Sequence, residues 1–167
     1  MDYSYQTTEK KTHARAQAQG LAISFKQAVE VCSFVRGKKV VAAISRLNRV
    51  VKEIEAVPYL KYNKGGVGHK KGMGPGRYPI KTCTAIIKLI EDARANAQNQ
   101  NMDSASLIIE HIMAKRGGKS YHYGRQKRRL MKRTHVEVVL TEGKAVEKKP
   151  RVQKQKVTIE NKEKVTQ

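Results

Sequence analysis

Leu107-Ile108-Ile109-Glu110-His111-Ile112-Met113 and Val136-Glu137-Val138-Val139-Leu140 decide how this chain folds. Both runs read as β-strands, and the segment between them carries Lys115, Arg116, Lys119, Arg125, Lys127, Arg128, Arg129, Lys132 and Arg133 with no acidic residue. Two strands joined in this way predict an extended hairpin over 106–141 that carries its basic tip outward like a probe. The strand 106–115 is apolar on both sides, whereas the last one alternates Val136, Val138 and Leu140 against His135, Glu137 and Val139. That difference predicts a central position for 106–115 and an outer one for the last strand.

Upstream, residues 12–22 set Ala14, Ala16 and Ala18 against His13, Arg15, Gln17 and Gln19, the alternation of a half-buried strand. Ser24 and Gln27 have the spacing of a capping box, which predicts a helix from Phe25 with Phe25, Val29 and Cys32 on one face and Gly37 at its end. A second helix is predicted from Val40, because Val40, Ile44, Leu47, Val51 and Ile54 recur at helical spacing before Pro58. From 57 to 79 the periodicity disappears and Gly65, Gly66, Gly68, Gly72, Gly74 and Gly76 accumulate, predicting a long irregular loop. The third helix opens with Pro79 in its first turn and carries Ile86, Ile87, Ile90, Ala93 and Ala97.

The order β-α-α-α-β-β gives an α+β fold, with three helices packed on one face of a small three-stranded antiparallel sheet and a long protruding β-hairpin. One globular domain is expected over 1–143, followed by a charged tail over 144–167 that is expected to be disordered. The composition agrees with a modest core, since 39% of the 167 residues are hydrophobic. Lys and Arg number 35 against 14 Asp and Glu, a net charge of +21 that calls for a polyanionic partner. No run of about 18 consecutive apolar residues is present, so no membrane span is expected, and the polar N-terminus predicts a soluble intracellular protein. Cys32 and Cys83, both on helical apolar faces, are read as buried thiols.

Catalysis finds no foothold in the residues. Gly118-Lys119-Ser120 resembles the end of a P-loop, but Met113 stands where its first glycine belongs and no amphipathic helix follows. Gly66 and Gly68 would need a third glycine at Lys71 to make a dinucleotide fingerprint. His13, His69, His111, His122 and His135 lie on different elements without metal-ligand spacing, and the adjacent Glu91 and Asp92 diverge by about 100° on a helix. We therefore expect no enzyme, no cofactor, no metal and no small-molecule substrate.

Nucleic-acid binding is the reading that remains, because two basic loops lack acidic residues and interleave aromatics. The first holds Lys61, Tyr62, Asn63, Lys64, His69, Lys70, Lys71, Arg77, Tyr78 and Lys81, and the second adds Tyr121, His122 and Tyr123 to the hairpin cations. Arg15 and Lys26 complete the candidate set. Cations neutralise phosphates, glycines allow close backbone approach, and Tyr or His can stack on unpaired bases. An alternative is sequence-specific DNA binding through a helix-turn-helix at 25–56, with Arg46, Asn48, Arg49 and Lys52 exposed on its second helix. That alternative leaves both basic loops without a task, and irregular glycine-rich loops suit folded RNA better.

The stretches Val57-Pro58-Tyr59, Tyr62-Asn63-Lys64-Gly65-Gly66-Val67-Gly68-His69-Lys70 and Gly76-Arg77-Tyr78-Pro79 carry a family resemblance, together with Ser24-Phe25-Lys26, Ile109-Glu110-His111-Ile112 and His135-Val136-Glu137-Val138-Val139-Leu140. Over roughly residues 12 to 142 the chain resembles the universal large-subunit ribosomal protein family numbered twenty-two in bacteria and seventeen in eukaryotes, in its archaeal form. The resemblance implies a cytoplasmic structural protein that binds large-subunit ribosomal RNA, sits near the polypeptide exit beside neighbouring ribosomal proteins, and lines the tunnel with its hairpin, past which the nascent polypeptide moves. Gly124-Arg125 matches the Gly-Arg pair of the family hairpin. Ahead of it, where members commonly carry an Arg-Ala or similar pair, this chain has Tyr121-His122-Tyr123, and which side chain forms the tunnel constriction is left open.

Overall fold

Alternation along residues 12–22 does what half-buried strands do: Ala14 and Ala16 are buried, while His13, Arg15 and Gln17 stay partly exposed. The computed structural model describes residues 3–5 and 12–143, and the tail predicted over 144–167 lies outside them. In chain order the elements are β1 (His13–Leu21), α1 (Phe25–Val35), α2 (Val40–Val51), β2 (Val57–Pro58), β3 (His69–Lys70), β4 (Gly74–Arg77), α3 (Ile80–Asn99), β5 (Leu107–Arg116) and β6 (Thr134–Glu142). The fold is the predicted α+β type, with α3 on β1 and β6, α1 on β5, and α2 packed against α3.

The main sheet is antiparallel in the order β1-β6-β5. The last strand is therefore the central one, with Leu140 opposite both Ala14 and Ile109, and 107–116 lies at an edge, the reverse of the sequence prediction. Two physical causes produced the misreading. The register shifts between Ile109 and His111, so inward residues change phase from Leu107 and Ile109 to Ile112 and Ala114. A bulge of this kind makes a one-faced strand look apolar on both sides. In β6, Glu137 looked solvent-facing but is only 1% exposed.

Its carboxylate accepts hydrogen bonds from the Ser4 N–H at 3.2 Å and from the Ser4 hydroxyl. His111 Nε2 lies 3.1 Å away and Lys115 Nζ 3.0 Å. Burial alone would raise the Glu137 carboxyl, but these partners outweigh it and hold the group at about 2. Residues 3–5 thus lie over the sheet face opposite the helices, where the Tyr5 ring stacks on His111 at 4.7 Å. The outer edge of β5 is closed as well. Ile109 exchanges backbone hydrogen bonds with Gly37 and Lys38 of the α1–α2 connection, both at 2.9 Å.

Three local predictions need correction. Ser24 makes no side-chain cap, and Gln27 instead accepts a hydrogen bond from the Thr82 hydroxyl of α3 at 3.3 Å, so the capping box does not form. The second helix ends at Val51; the chain turns at Glu53, whose φ is +59°, and Ile54 is 70% exposed. That reversal brings the Glu55 carboxylate back onto Arg46 and Arg49. The segment 57–79 is not wholly irregular, since β2, β4 and β3 form a second antiparallel sheet with Val57 opposite Arg77 and His69 opposite Pro75. Strands of two to four residues carry no detectable period, and the turn between β3 and β4 depends on Gly72 and Gly74 at positive φ. Cys32 and Cys83 are buried in the core as read, and burial pushes both thiols up to about 12.

Candidate nucleic-acid interface

Helix α1 organises both basic loops. Its Glu30, 2% exposed, lies among the buried residues of the helix and would be costly there without partners. The carboxylate accepts the N–H groups of Leu60, Lys61 and Tyr62 at 3.1, 2.9 and 2.7 Å, pinning the start of the glycine-rich segment to the core. Sequence reading missed Glu30, because an acid on a helix looks like a solvated one until its partners, some thirty residues away, are known.

One turn earlier, Phe25 meets Tyr62 edge to face at a centroid distance of 6.3 Å. Lys26 and Lys61 place their ammonium groups 5.7 and 5.9 Å from the Tyr62 ring, and the Arg116 guanidinium lies 5.0 Å from the Phe25 ring. Arg116 closes the ascending arm of the hairpin, so the two loops, far apart in sequence, are joined through an aromatic pair at the start of α1. Phe25 is part of this junction although sequence reading assigned it only to a core face.

Within the first loop, Lys70 sits 5.1 Å from the Tyr78 ring and Arg77 5.7 Å from the Tyr59 ring, while an Arg77 Nη donates to Gly66 O at 3.3 Å. Lys61, Asn63, Lys64, His69, Lys71 and Lys81 are exposed. Tyr62 and Tyr78 are half-buried with lysines already over their rings.

The second loop is an ordered hairpin tip. Cross-strand bonds join Gly117 N–H to Arg133 O at 3.0 Å, Met131 N–H to Ser120 O at 2.8 Å and His122 N–H to Arg129 O at 2.9 Å. A 3-10 turn at Gly124–Gln126 closes it, with Gly124 at φ +62°. Arg125, Lys127, Arg128 and Arg129 are exposed there, as are Lys119 and Lys132 lower on the stem. Tyr121 and Tyr123 are 65% and 89% exposed, which leaves ring surface open for stacking.

Not every candidate joins this surface. Lys115 turns to Glu137, so its charge is matched within the protein. Arg15 lies on the sheet face away from the helices, its guanidinium 5.5 Å from the Tyr3 ring. Of the residues the DNA-binding alternative relies on, Arg46 and Arg49 are held by Glu55, while Asn48 and Lys52 are exposed. Among the described residues no salt bridge involves a cation of 57–79 or of 116–133. No group of three His, Cys, Asp or Glu among them could hold a metal ion, and no helix among them is long and apolar enough to cross a membrane.

Residues 16–141, a span from within β1 to within β6 that includes both loops, match the profile of the family described as "Ribosomal protein L22p/L17e". The chain belongs to this family. Relatives called large ribosomal subunit protein uL22 are similar over most of their length. The one from Methanosphaera stadtmanae is 36% identical over 149 residues, covering 84% of this chain and 96% of the relative. That of Thermoplasma volcanium is 36% identical over 144 residues, covering 83% and 97%, and that of Picrophilus torridus 40% over 135 residues, covering 78% and 89%. The chain is thus an L22p/L17e protein of the archaeal type, structural and non-enzymatic. The glycine-rich segment and the hairpin, which carried the resemblance, both lie inside the matched span.

Proposed function

We propose that this chain, a structural protein of the large ribosomal subunit by its family, binds large-subunit ribosomal RNA through its two basic loops and lines the polypeptide exit tunnel with its hairpin. The observation that carries this reading is the junction of Arg116, Phe25, Tyr62 and Lys26, which merges two acid-free loops into one surface. Its cations form no salt bridge among the described residues, so phosphates supply the counter-charge and released counterions drive binding. The hairpin tip, exposed and held away from the core by cross-strand hydrogen bonds, is shaped to pass between RNA helices rather than to lie on one. The globular side then rests at the subunit surface among neighbouring ribosomal proteins, in cytoplasmic ribosomes, and the nascent polypeptide passes the tip.

Two measurements test this. The chain should remain with large subunits through a high-salt wash, and a photo-crosslinker at Tyr123 should capture a stalled nascent chain. A chain that washes off as free protein, or a ribosome map with the hairpin away from the tunnel wall, would refute the reading.

A further inference from the structure

An open cleft of about 390 Å³ separates the start of α1 from both arms of the hairpin stem. Lys26 enters it from α1, Lys119 from the ascending arm and Lys132 from the descending arm, with Arg116 and Arg133 beside them and Phe25 as an apolar wall. Three chain segments therefore place five basic side chains around one opening, and no carboxylate lines it. The salt bridges among the described residues all lie elsewhere.

The framework, not a counter-ion, holds these groups together. Arg116 rests on the Phe25 ring, and an Arg133 Nη donates to Gly20 O at 3.4 Å. Between the arms a Cβ on Gly117 would meet the Arg133 backbone at 3.1 Å, so the two arms approach closely at the base of the tip. Five like charges around one opening, two of them fixed by these contacts, repel one another, and an anion inserted among them relieves that repulsion while making charge-assisted hydrogen bonds.

We propose that this cleft seats one phosphodiester of an RNA strand, clamping the hairpin stem to α1 and so setting the direction in which the hairpin leaves the body. The inference rests on the ribosomal RNA reading above and adds a discrete site to it. An RNA backbone is the phosphate source that fits. The cleft is open, and the cations continue from Lys26 past the Tyr62 ring to Lys61 in one direction and up the stem in the other. A free nucleotide would want a second aromatic wall or an acid for its metal ion, and the cleft offers neither.

The test uses the full chain, isotopically labelled, titrated in separate arms with a single-stranded RNA pentamer and with inorganic phosphate while amide resonances are followed. With the pentamer, saturable shifts are expected at residues 24–27 and 116–119. They should persist in Arg128→Ala/Arg129→Ala, weaken about tenfold in Lys26→Gln/Lys132→Gln, and return in Lys26→Arg/Lys132→Arg. These are solvent-exposed lysines, and an unchanged melting temperature would confirm that the Gln variant is folded. Shifts confined to the hairpin tip, or a Gln variant that binds the pentamer as the wild type does, would overturn the seat. Inorganic phosphate binding as tightly as the pentamer would assign the cleft to a free anion and overturn the RNA assignment. Failure of the underlying reading is distinguishable, because then the wild-type chain would not bind large-subunit RNA at all.

Discussion

The Glu30 carboxylate of α1 accepts the backbone N–H of Tyr62 at 2.7 Å, across 32 residues of sequence, and the same group also holds Leu60 and Lys61. One side chain from the core therefore dictates where the glycine-rich loop begins. Replacing it removes the acceptor from three N–H groups at once.

Glu30→Ala should destabilise the protein by about 3 kcal/mol in urea denaturation, since leaving a buried donor unsatisfied costs roughly 1–3 kcal/mol and these donors are partly buried. Glu30→Gln keeps an acceptor oxygen and should cost about half as much. Amide exchange at residues 60–62 should accelerate in both. Unchanged exchange in the Ala variant would mean that the loop is held by other contacts.

Glu137 predicts an acid response. Its carboxyl is held at about 2 when folded against an ordinary 4.5, so between those values the unfolded chain binds a proton that the native one does not. The stability it contributes is complete above the ordinary value and is lost as pH falls through the folded one. Melting temperatures from about pH 5 down to about pH 2 should therefore fall more steeply in the wild type than in Glu137→Gln. Parallel curves would refute the assignment.

The tyrosines should separate by burial. Tyr62 packs on Phe25 and against the core, so Tyr62→Ala should lower stability by about 1–2 kcal/mol. Tyr123 is almost fully exposed, so Tyr123→Ala should leave the melting temperature unchanged and reduce ribosomal RNA affinity by about 1–3 kcal/mol if its ring stacks on a base. Filter binding beside calorimetry reads both effects.

Arg128 and Arg129 stand exposed at the hairpin tip with no carboxylate partner among the described residues. The double Ala variant should keep its fold while the slope of log affinity against log salt flattens by about 1.5, as two phosphate contacts are lost. Equal slopes would remove the tip from the electrostatic anchor.

Gly117 bears on the hairpin itself. Gly117→Ala places a Cβ 3.1 Å from the Arg133 backbone and from the His135 ring, where the Gly117 N–H pairs with Arg133 O, and should cost about 1–2 kcal/mol, with faster amide exchange in 116–134. An unaffected hairpin would show that the arms can separate without penalty.

The amino-acid sequence by itself determined the three helices, the three strands of the main sheet, the hairpin, the two acid-free loops and the family, but not the short strands within 57–79. Each of these is written in short-range periodicity, turn residues or charge runs, which act within a few residues of chain. Tertiary structure decided what depends on distant partners. Pairing with both β1 and β5 makes β6 the central strand, and the bulge at Glu110 and the distant partners of Glu137 hid this from the local pattern. Gln27 turned from a cap to Thr82, Lys115 from RNA to Glu137, and Glu30 from solvent to the loop. The meeting of Phe25, Tyr62 and Arg116 is of the same kind, because side chains from three separate segments become neighbours only when burying the core brings their backbones together.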